Sequence, residues 1–166
     1  MFPAGVVSHT GASGLILGGG TGWLTRRFGL SCDNVEGFTL VTADSSIVRA
    51  NSMENADLFW ALRGGGGNFG VVTEFEVKLH PLTAVVLADG LTPESDIPRL
   101  LECWKDSMAD APNDLKWNID LRLAPKTNKV PAELRGRPVA SSSLVWTGDP
   151  DTGRPYLERA LSLCRP

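Results

Sequence analysis

The residues best suited to chemistry lie in two side-chain-poor stretches. The first is Val6-Val7-Ser8-His9-Thr10-Gly11-Ala12-Ser13-Gly14-Leu15-Ile16-Leu17-Gly18-Gly19-Gly20-Thr21-Gly22-Trp23. It sets the hydroxyls of Ser8, Thr10 and Ser13 beside main-chain N–H groups that no bulky side chain covers. A concave run of such donors can hold a phosphate without Lys or Arg, and this stretch contains neither. The second stretch, Gly64-Gly65-Gly66-Gly67-Asn68-Phe69-Gly70, matches GxGxxG from Gly65 onward. In a dinucleotide fold that fingerprint follows a strand and opens a helix. Here a helix is expected before it and a strand after it, so the match is not that signal. Its backbone can still lie flat against a ligand. Tight loops and close helix packing also use glycine, and spacing alone leaves both readings open.

Little else in the chain points to catalysis. There is no Gly-Lys-Ser/Thr ending of a nucleotide-triphosphate loop. His9 sits in the first stretch and could hydrogen-bond a ligand, and His80 stands before Pro81. Imidazole suits acid–base work near neutral pH, but neither histidine has a paired carboxylate or metal-ligand spacing. No catalytic residue and no metal site is assigned. Cys32, Cys103 and Cys164 are widely spaced and odd in number, and read as reduced, partly buried thiols. Trp23, Trp60, Trp104, Trp117 and Trp146 are scattered and read mostly as core.

The elements that must position the two stretches follow from periodicity. Leu15–Leu24 reads as short helical turns interrupted by glycine. Val35–Val41 and Ser46–Ala50 flank Thr42-Ala43-Asp44-Ser45 as a β-hairpin. Ser52–Arg63 reads as a helix capped by Ser52 and ended by Gly64. Residues 71–80 alternate as a half-buried strand, with Val71, Phe75, Val77 and Leu79 on one face and Val72, Glu74, Glu76 and Lys78 on the other. Val85–Leu87 is a short strand. Pro93–Ala109 carries one apolar stripe, Ile97, Leu100, Leu101, Trp104 and Met108. Lys116–Leu123 and Pro138–Trp146 are strands, and Pro155–Cys164 begins a further helix. Fourteen of the 18 glycines lie in the first 70 residues, so a boundary is expected near residues 81–84. This order, without strict β-α alternation, predicts an α+β fold with domains at 1–82 and 83–166.

Composition narrows the function classes. Of 166 residues, 42% are hydrophobic and 21% charged, as in ordinary globular proteins, and the formal charge is −3. There is no basic field for a nucleic-acid backbone; Arg26-Arg27 is the longest basic run in the first segment. No window approaches the ~18 apolar residues of a membrane span. Met1–Val7 lacks the basic and long apolar regions of a signal peptide, which makes a cytoplasmic location the default expectation. The abrupt start at Met1 and stop at Pro166 suggest a truncated domain pair.

The run Gly5–Asn34, with Leu17-Gly18-Gly19-Gly20-Thr21-Gly22-Trp23-Leu24, Phe28-Gly29-Leu30 and Asp33-Asn34, resembles the FAD-linked oxidase family. So does Asp57-Leu58-Phe59-Trp60-Ala61-Leu62-Arg63 through Gly64–Thr73. This is the berberine-bridge-enzyme-like, vanillyl-alcohol-oxidase type, with a PCMH-type FAD-binding domain. The resemblance implies that 1–82 is the second half of that domain and 83–166 the beginning of a substrate-binding domain. It implies FAD as cofactor, with Ser8, Thr10, Gly11, Gly14 and Gly20 along the diphosphate and flavin side. Val71 and Val72 would touch the adenosine or ribitol region through backbone atoms. A parent oxidoreductase would pass hydride from an alcohol, amine or benzylic-type carbon to the flavin, often with dioxygen as acceptor. The family's first flavin half, whose histidine often bonds the flavin, has no counterpart in this chain. Val7 stands where doubly linked members carry cysteine, and valine has no nucleophile for that link. The alternative is a non-catalytic remnant that binds FAD weakly or not at all.

Overall fold

A computed structural model of the chain describes residues 1–82 and 84–162. The fold is α+β and divides into two compact units, Met1–Leu82 and Thr83–Pro166. Leu163 and Cys164, the end of the last expected helix, lie outside the described residues.

The first unit is built on a three-stranded antiparallel sheet. Its elements in chain order are α1 (Ala12–Leu17), α2 (Thr25–Phe28), a 3-10 turn (Cys32–Asn34), β1 (Val35–Val41), β2 (Ile47–Asn51), α3 (Ala56–Leu62) and β3 (Val71–Val77). Strand order is β2-β1-β3. The hairpin turns where its polar residues predict, with Thr42 N–H bonded to Ser46 O and Ser45 at φ +68°. Asp44 accepts from Thr42 Oγ1 and from Ser46 N–H and hydroxyl, and these bonds hold its carboxyl below the usual carboxylate range.

Two expectations shift. Helix α3 starts four residues later than Ser52 implies, and Ser52 does not cap it. Asn51 Oδ1 instead accepts from the N–H groups of Met53 and Glu54, and Asn55 turns left-handed at φ +49°. That side-chain turn takes the amides a helix would need, a competition for which Asn is suited. In β3, Thr39 pairs with Glu74 but Leu40 pairs with Val72, so Thr73 is the extra residue of a β-bulge. The bulge shifts the alternation by one. Val72, Phe75 and Val77 pack on the core, whereas Val71 is 70% exposed and Leu79 is 67% exposed.

The core joins Ile16 and Leu17 of α1, Phe38 and Leu40 of β1, Ala50 of β2, and Phe59 and Leu62 of α3. Phe38 meets Phe59 and Phe75 in tilted and edge-on contacts, at 5.8 and 5.5 Å between centroids. Arg63, at the end of α3, donates from Nε to Cys32 O (2.9 Å), pairs with Asp33 (3.2 Å) and lies over the Phe59 ring. Its ion pair is half solvated and worth little, so the bond to a main-chain carbonyl and the ring contact dominate. Arg63→Ala is expected to cost about 1–2 kcal/mol in urea unfolding.

Cys32 is buried, and burial together with the neighbouring Asp33 charge pushes its thiol up. A thiol raised in the folded state adds stability that is full below its ordinary value, about 9.0, and is lost as pH rises through the raised one. Alkylation at pH 8 should therefore reach the half-buried Cys103 before Cys32, as read by peptide mass spectrometry.

The second unit contains β4 (Val86–Pro93), a 3-10 turn (Glu94–Asp96), α4 (Ile97–Ala109), β5 (Leu115–Leu123), β6 (Pro138–Trp146) and α5 (Pro150–Leu161). The sheet is antiparallel in the order β4-β6-β5. β4 runs well past the expected Leu87. Pro93 fits because β4 is an edge strand, where a missing N–H is tolerated. α5 starts five residues before Pro155. Asp149 caps it by accepting from Asp151 and Thr152 N–H, and Pro150 occupies the first turn. One sheet face packs on α4 and α5 through Leu115, Trp117, Ala140, Leu144, Trp146, Leu100, Leu157 and Ala160. Within the stripe of α4, Leu100 is fully buried but Leu101 is 42% exposed, and Cys103 packs on the core instead.

Candidate functional site

The two glycine-rich stretches both lie in the first unit and meet. Gly66 N–H donates to Leu17 O at 2.9 Å, tying the end of α1 to the loop between α3 and β3. That loop is indeed preceded by a helix and followed by a strand. Three of its glycines, Gly64, Gly66 and Gly70, have positive φ.

Packing divides the first stretch into two parts. Residues 18–22 are held by their neighbours. Cys32 N–H bonds Gly19 O, Ser31 N–H bonds Gly20 O, and Ser31 Oγ donates to Pro3 O. A Cβ on Gly20 would fall 2.5 Å from Ser31 Oγ, and one on Gly22 would fall 1.7 Å from Ala4 O. Residues 6–14 are exposed without a break. They include Ser8, Thr10, Gly11 and Gly14, and beside the last two a Cβ would meet nothing within 4 Å. Thr10 N–H closes a turn onto Val7 O, and α1 then begins with Gly11 as N-cap and no side-chain cap. The first helical donor is Leu15 N–H, bonded to Gly11 O. The amides of Ala12, Ser13 and Gly14 thus head the helix toward solvent, as free helix-end donors do.

The remaining named residues sort differently. Gly20 faces Ser31 and Leu15, so its lack of a side chain serves packing. Val71 and Val72 open β3, an edge strand of the sheet; Val71 points to solvent and Val72 to the core. Val7 is 45% exposed, and His9 is exposed beside it. His80 is structural. Its Nε2 donates to Asn34 Oδ1 (2.6 Å), because the Asn34 amide nitrogen is already committed to Phe28 O and Leu30 O. The ring stacks on Phe28 at 4.0 Å.

A cleft that sequence reasoning missed lies beside the second loop. It has a volume of about 400 Å³, and Trp60, Arg63, Gly64 and Phe69 are among its lining residues. Trp60 is 78% exposed, not core. The signal was available: Phe59 and Leu62 define the buried face of α3, and Trp60 lies off that face. Among the described residues no group of three metal-ligating side chains gathers, and no helix is long and apolar enough to cross a membrane.

No protein-family model matches the chain. Individual relatives do. The chain is 38% identical to a FAD-linked oxidoreductase of Dictyostelium discoideum over 163 residues, 97% of this chain and 33% of that protein. It is 54% identical to the glucooligosaccharide oxidase of Sarocladium strictum over 124 residues, 75% of this chain and 25% of that protein. Among solved structures, BBE-like 1 of Physcomitrella patens superposes with a TM-score of 0.78 at 26% identity. That match covers 100% of this chain and 34% of the moss protein. FAD is the cofactor named for these oxidoreductases. By sequence and by fold, the chain belongs to the FAD-linked, berberine-bridge-enzyme-like oxidoreductases and spans about one third of their length.

Proposed function

We propose that the first unit forms one wall of a FAD site, and that a protein containing this chain oxidises a carbon bearing an alcohol or amine. The observation that supports this is the exposed run 6–14. It is an unbroken stretch of uncovered main chain leading into the uncapped head of α1, with Gly11 and Gly14 open to close approach. Such a surface fits a diphosphate, which needs N–H donors and no side chain in the way.

In this reading Ser8 and Thr10 donate hydroxyls to the diphosphate, and the amides of Ala12, Ser13 and Gly14 face it. Gly20 acts indirectly, by letting residues 18–22 pack on Ser31. Val71 and Val72 present the start of an edge strand to the remainder of the cofactor. Bound FAD would supply the two-electron acceptor. The second unit is the beginning of the substrate domain. A carbohydrate alcohol is the first substrate class to try, because the relative at 54% identity is named a glucooligosaccharide oxidase.

The test is direct. The purified 166-residue chain is mixed with FAD, passed through a gel-filtration column, and its visible spectrum recorded. Flavin absorbance travelling with the protein supports the cofactor wall. A folded protein, by circular dichroism, that stays colourless and takes up no added FAD supports a non-catalytic remnant. Peroxide formation with candidate sugars then tests the oxidase activity.

A further inference from the structure

We propose that two copies of this chain pair through the free edge of β5, joining their second-unit sheets across a two-fold axis at Leu121. The seam lies wholly within the second unit and does not depend on the flavin reading.

β5 is an edge strand, since the sheet order is β4-β6-β5. Its backbone groups alternate between facing β6 and facing outward. Ala124, just past the strand, turns toward the β6 side, donating to Arg137 O and accepting from Gly136 N–H. Odd-numbered residues of β5 therefore point their N–H and C=O outward. Trp117 agrees, because its carbonyl accepts from Trp104 Nε1 of α4 at 3.0 Å. That indole closes the edge at Trp117, and Pro125, which has no N–H, closes it at the other end. Between these stops, Ile119, Leu121 and Leu123 offer main-chain groups that no strand among the described residues takes.

The stops and the side chains select one register. A two-fold antiparallel pairing centred on Leu121 sets each Trp117 opposite the partner's Pro125, so both obstructions fall outside the ladder. Inside it, Leu121 meets the partner's Leu121 and Ile119 meets the partner's Leu123. Each such pair exchanges two main-chain bonds, for about six in all. Leu121 and Leu123 continue the helix-side face begun by Leu115, Trp117 and Ile119, yet they are 67% and 66% exposed. Pairing covers them with their own counterparts. On the other face Asp120 meets the partner's Arg122, and Arg122 the partner's Asp120. These are the closer, non-hydrogen-bonded pairs, in which opposite charges are favourable. Neither residue has an ion-pair partner in its own chain among the described residues. Arg122 Nη2 donates to Ser141 Oγ at 3.0 Å, which leaves its other N–H donors for a carboxylate. Sliding the partner by two residues sets Asp120 against Asp120 or Arg122 against Arg122, and like charges repel. Sliding by one sets outward-facing groups against inward-facing ones. The self-complementary patch is what a closed two-fold dimer requires. So short a seam makes a weak dimer, with a Kd on the order of 10 μM.

Sedimentation velocity on the 166-residue chain, from about 1 to 200 μM, tests this. Monomer at the low end passing to dimer at the high end is the expected result. Amide exchange supplies a signature of the edge. Ile119, Leu121 and Leu123 should slow at least about fivefold as the dimer fills, while Asp120 and Arg122, whose amides face β6, stay unchanged. Asp120→Arg and Arg122→Asp should each weaken the dimer at least about tenfold, and the two together should restore it. Circular dichroism checks that each variant is folded. A folded chain that stays monomeric throughout overturns the proposal, as does mass growing past two copies. A dimer that neither single reversal weakens places the contact off β5 and overturns it too. A double variant no tighter than the singles overturns the register.

Discussion

Gly22→Ala is expected to destabilise the first unit by about 3 kcal/mol or more, and to lower its melting temperature by about 15 °C. The cause is steric and local. The added methyl would sit 1.7 Å from Ala4 O and 2.8 Å from Ala4 C, main-chain atoms that cannot rotate aside as a flexible side chain could. Gly22 is also buried, and its N–H and O both engage the Thr25 hydroxyl. Relieving the overlap means separating the N-terminal segment from the loop it closes, and that segment also receives Ser31 Oγ at Pro3 O. Since small domains have only about 5–15 kcal/mol of stability, such a loss is a large fraction of the total. Thermal unfolding by circular dichroism measures it. A variant that melts within a few degrees of the natural chain would mean that residues 4 and 22 are not packed as described.

Gly14→Ala should behave in the opposite way. Nothing lies within 4 Å of its added Cβ, and the residue sits inside α1, where alanine is the better helix former. Stability is expected to stay level or rise by about 0.5–1 kcal/mol. If the exposed run 6–14 faces FAD, the same methyl projects into the space the cofactor needs, and FAD affinity should fall at least about tenfold. A more stable protein that binds FAD worse separates a glycine kept for a ligand from one kept for packing. Unchanged FAD affinity in this variant would remove Gly14 from the site. Tryptophan-fluorescence titration with FAD, run beside the melting curve, gives both quantities on one sample.

This division among glycines is what sequence reasoning could not make. Composition showed where they cluster, and spacing permitted both a ligand-facing loop and a tightly packed one. The structure contains both: residues 6–14 are open, and residues 18–22 are packed on Ser31, Cys32 and the N-terminal segment. Nothing local distinguishes Gly14 from Gly22, because the obstructing atom in the second case is a carbonyl 18 residues away.

Elements with strong periodicity were legible. β6 spans Pro138–Trp146 as its β-branched and apolar residues imply, and the hairpin turns at Thr42–Ser45. Legibility failed where tertiary partners overrode local chemistry. The strand expected to end at Leu87 continues through Pro93 as β4, because Ser142 and Ala140 of β6 pair with Gly90 and Thr92. The last helix, expected from Pro155, is instead capped by Asp149 and begins at Pro150. In β3 a single bulged threonine inverted the facing of Val71 and Val72, an effect of cross-strand register that no one-strand pattern contains.

The bond from Gly66 to Leu17 joins residues far apart along the chain, and it gives the first unit a built-in gauge. The Gly66 amide can trade its proton for deuterium only when this seam parts, so its exchange rate counts how often the loop lifts from the end of α1. A ligand spanning both sides would slow that clock, and one touching only residues 6–14 would leave it ticking unchanged.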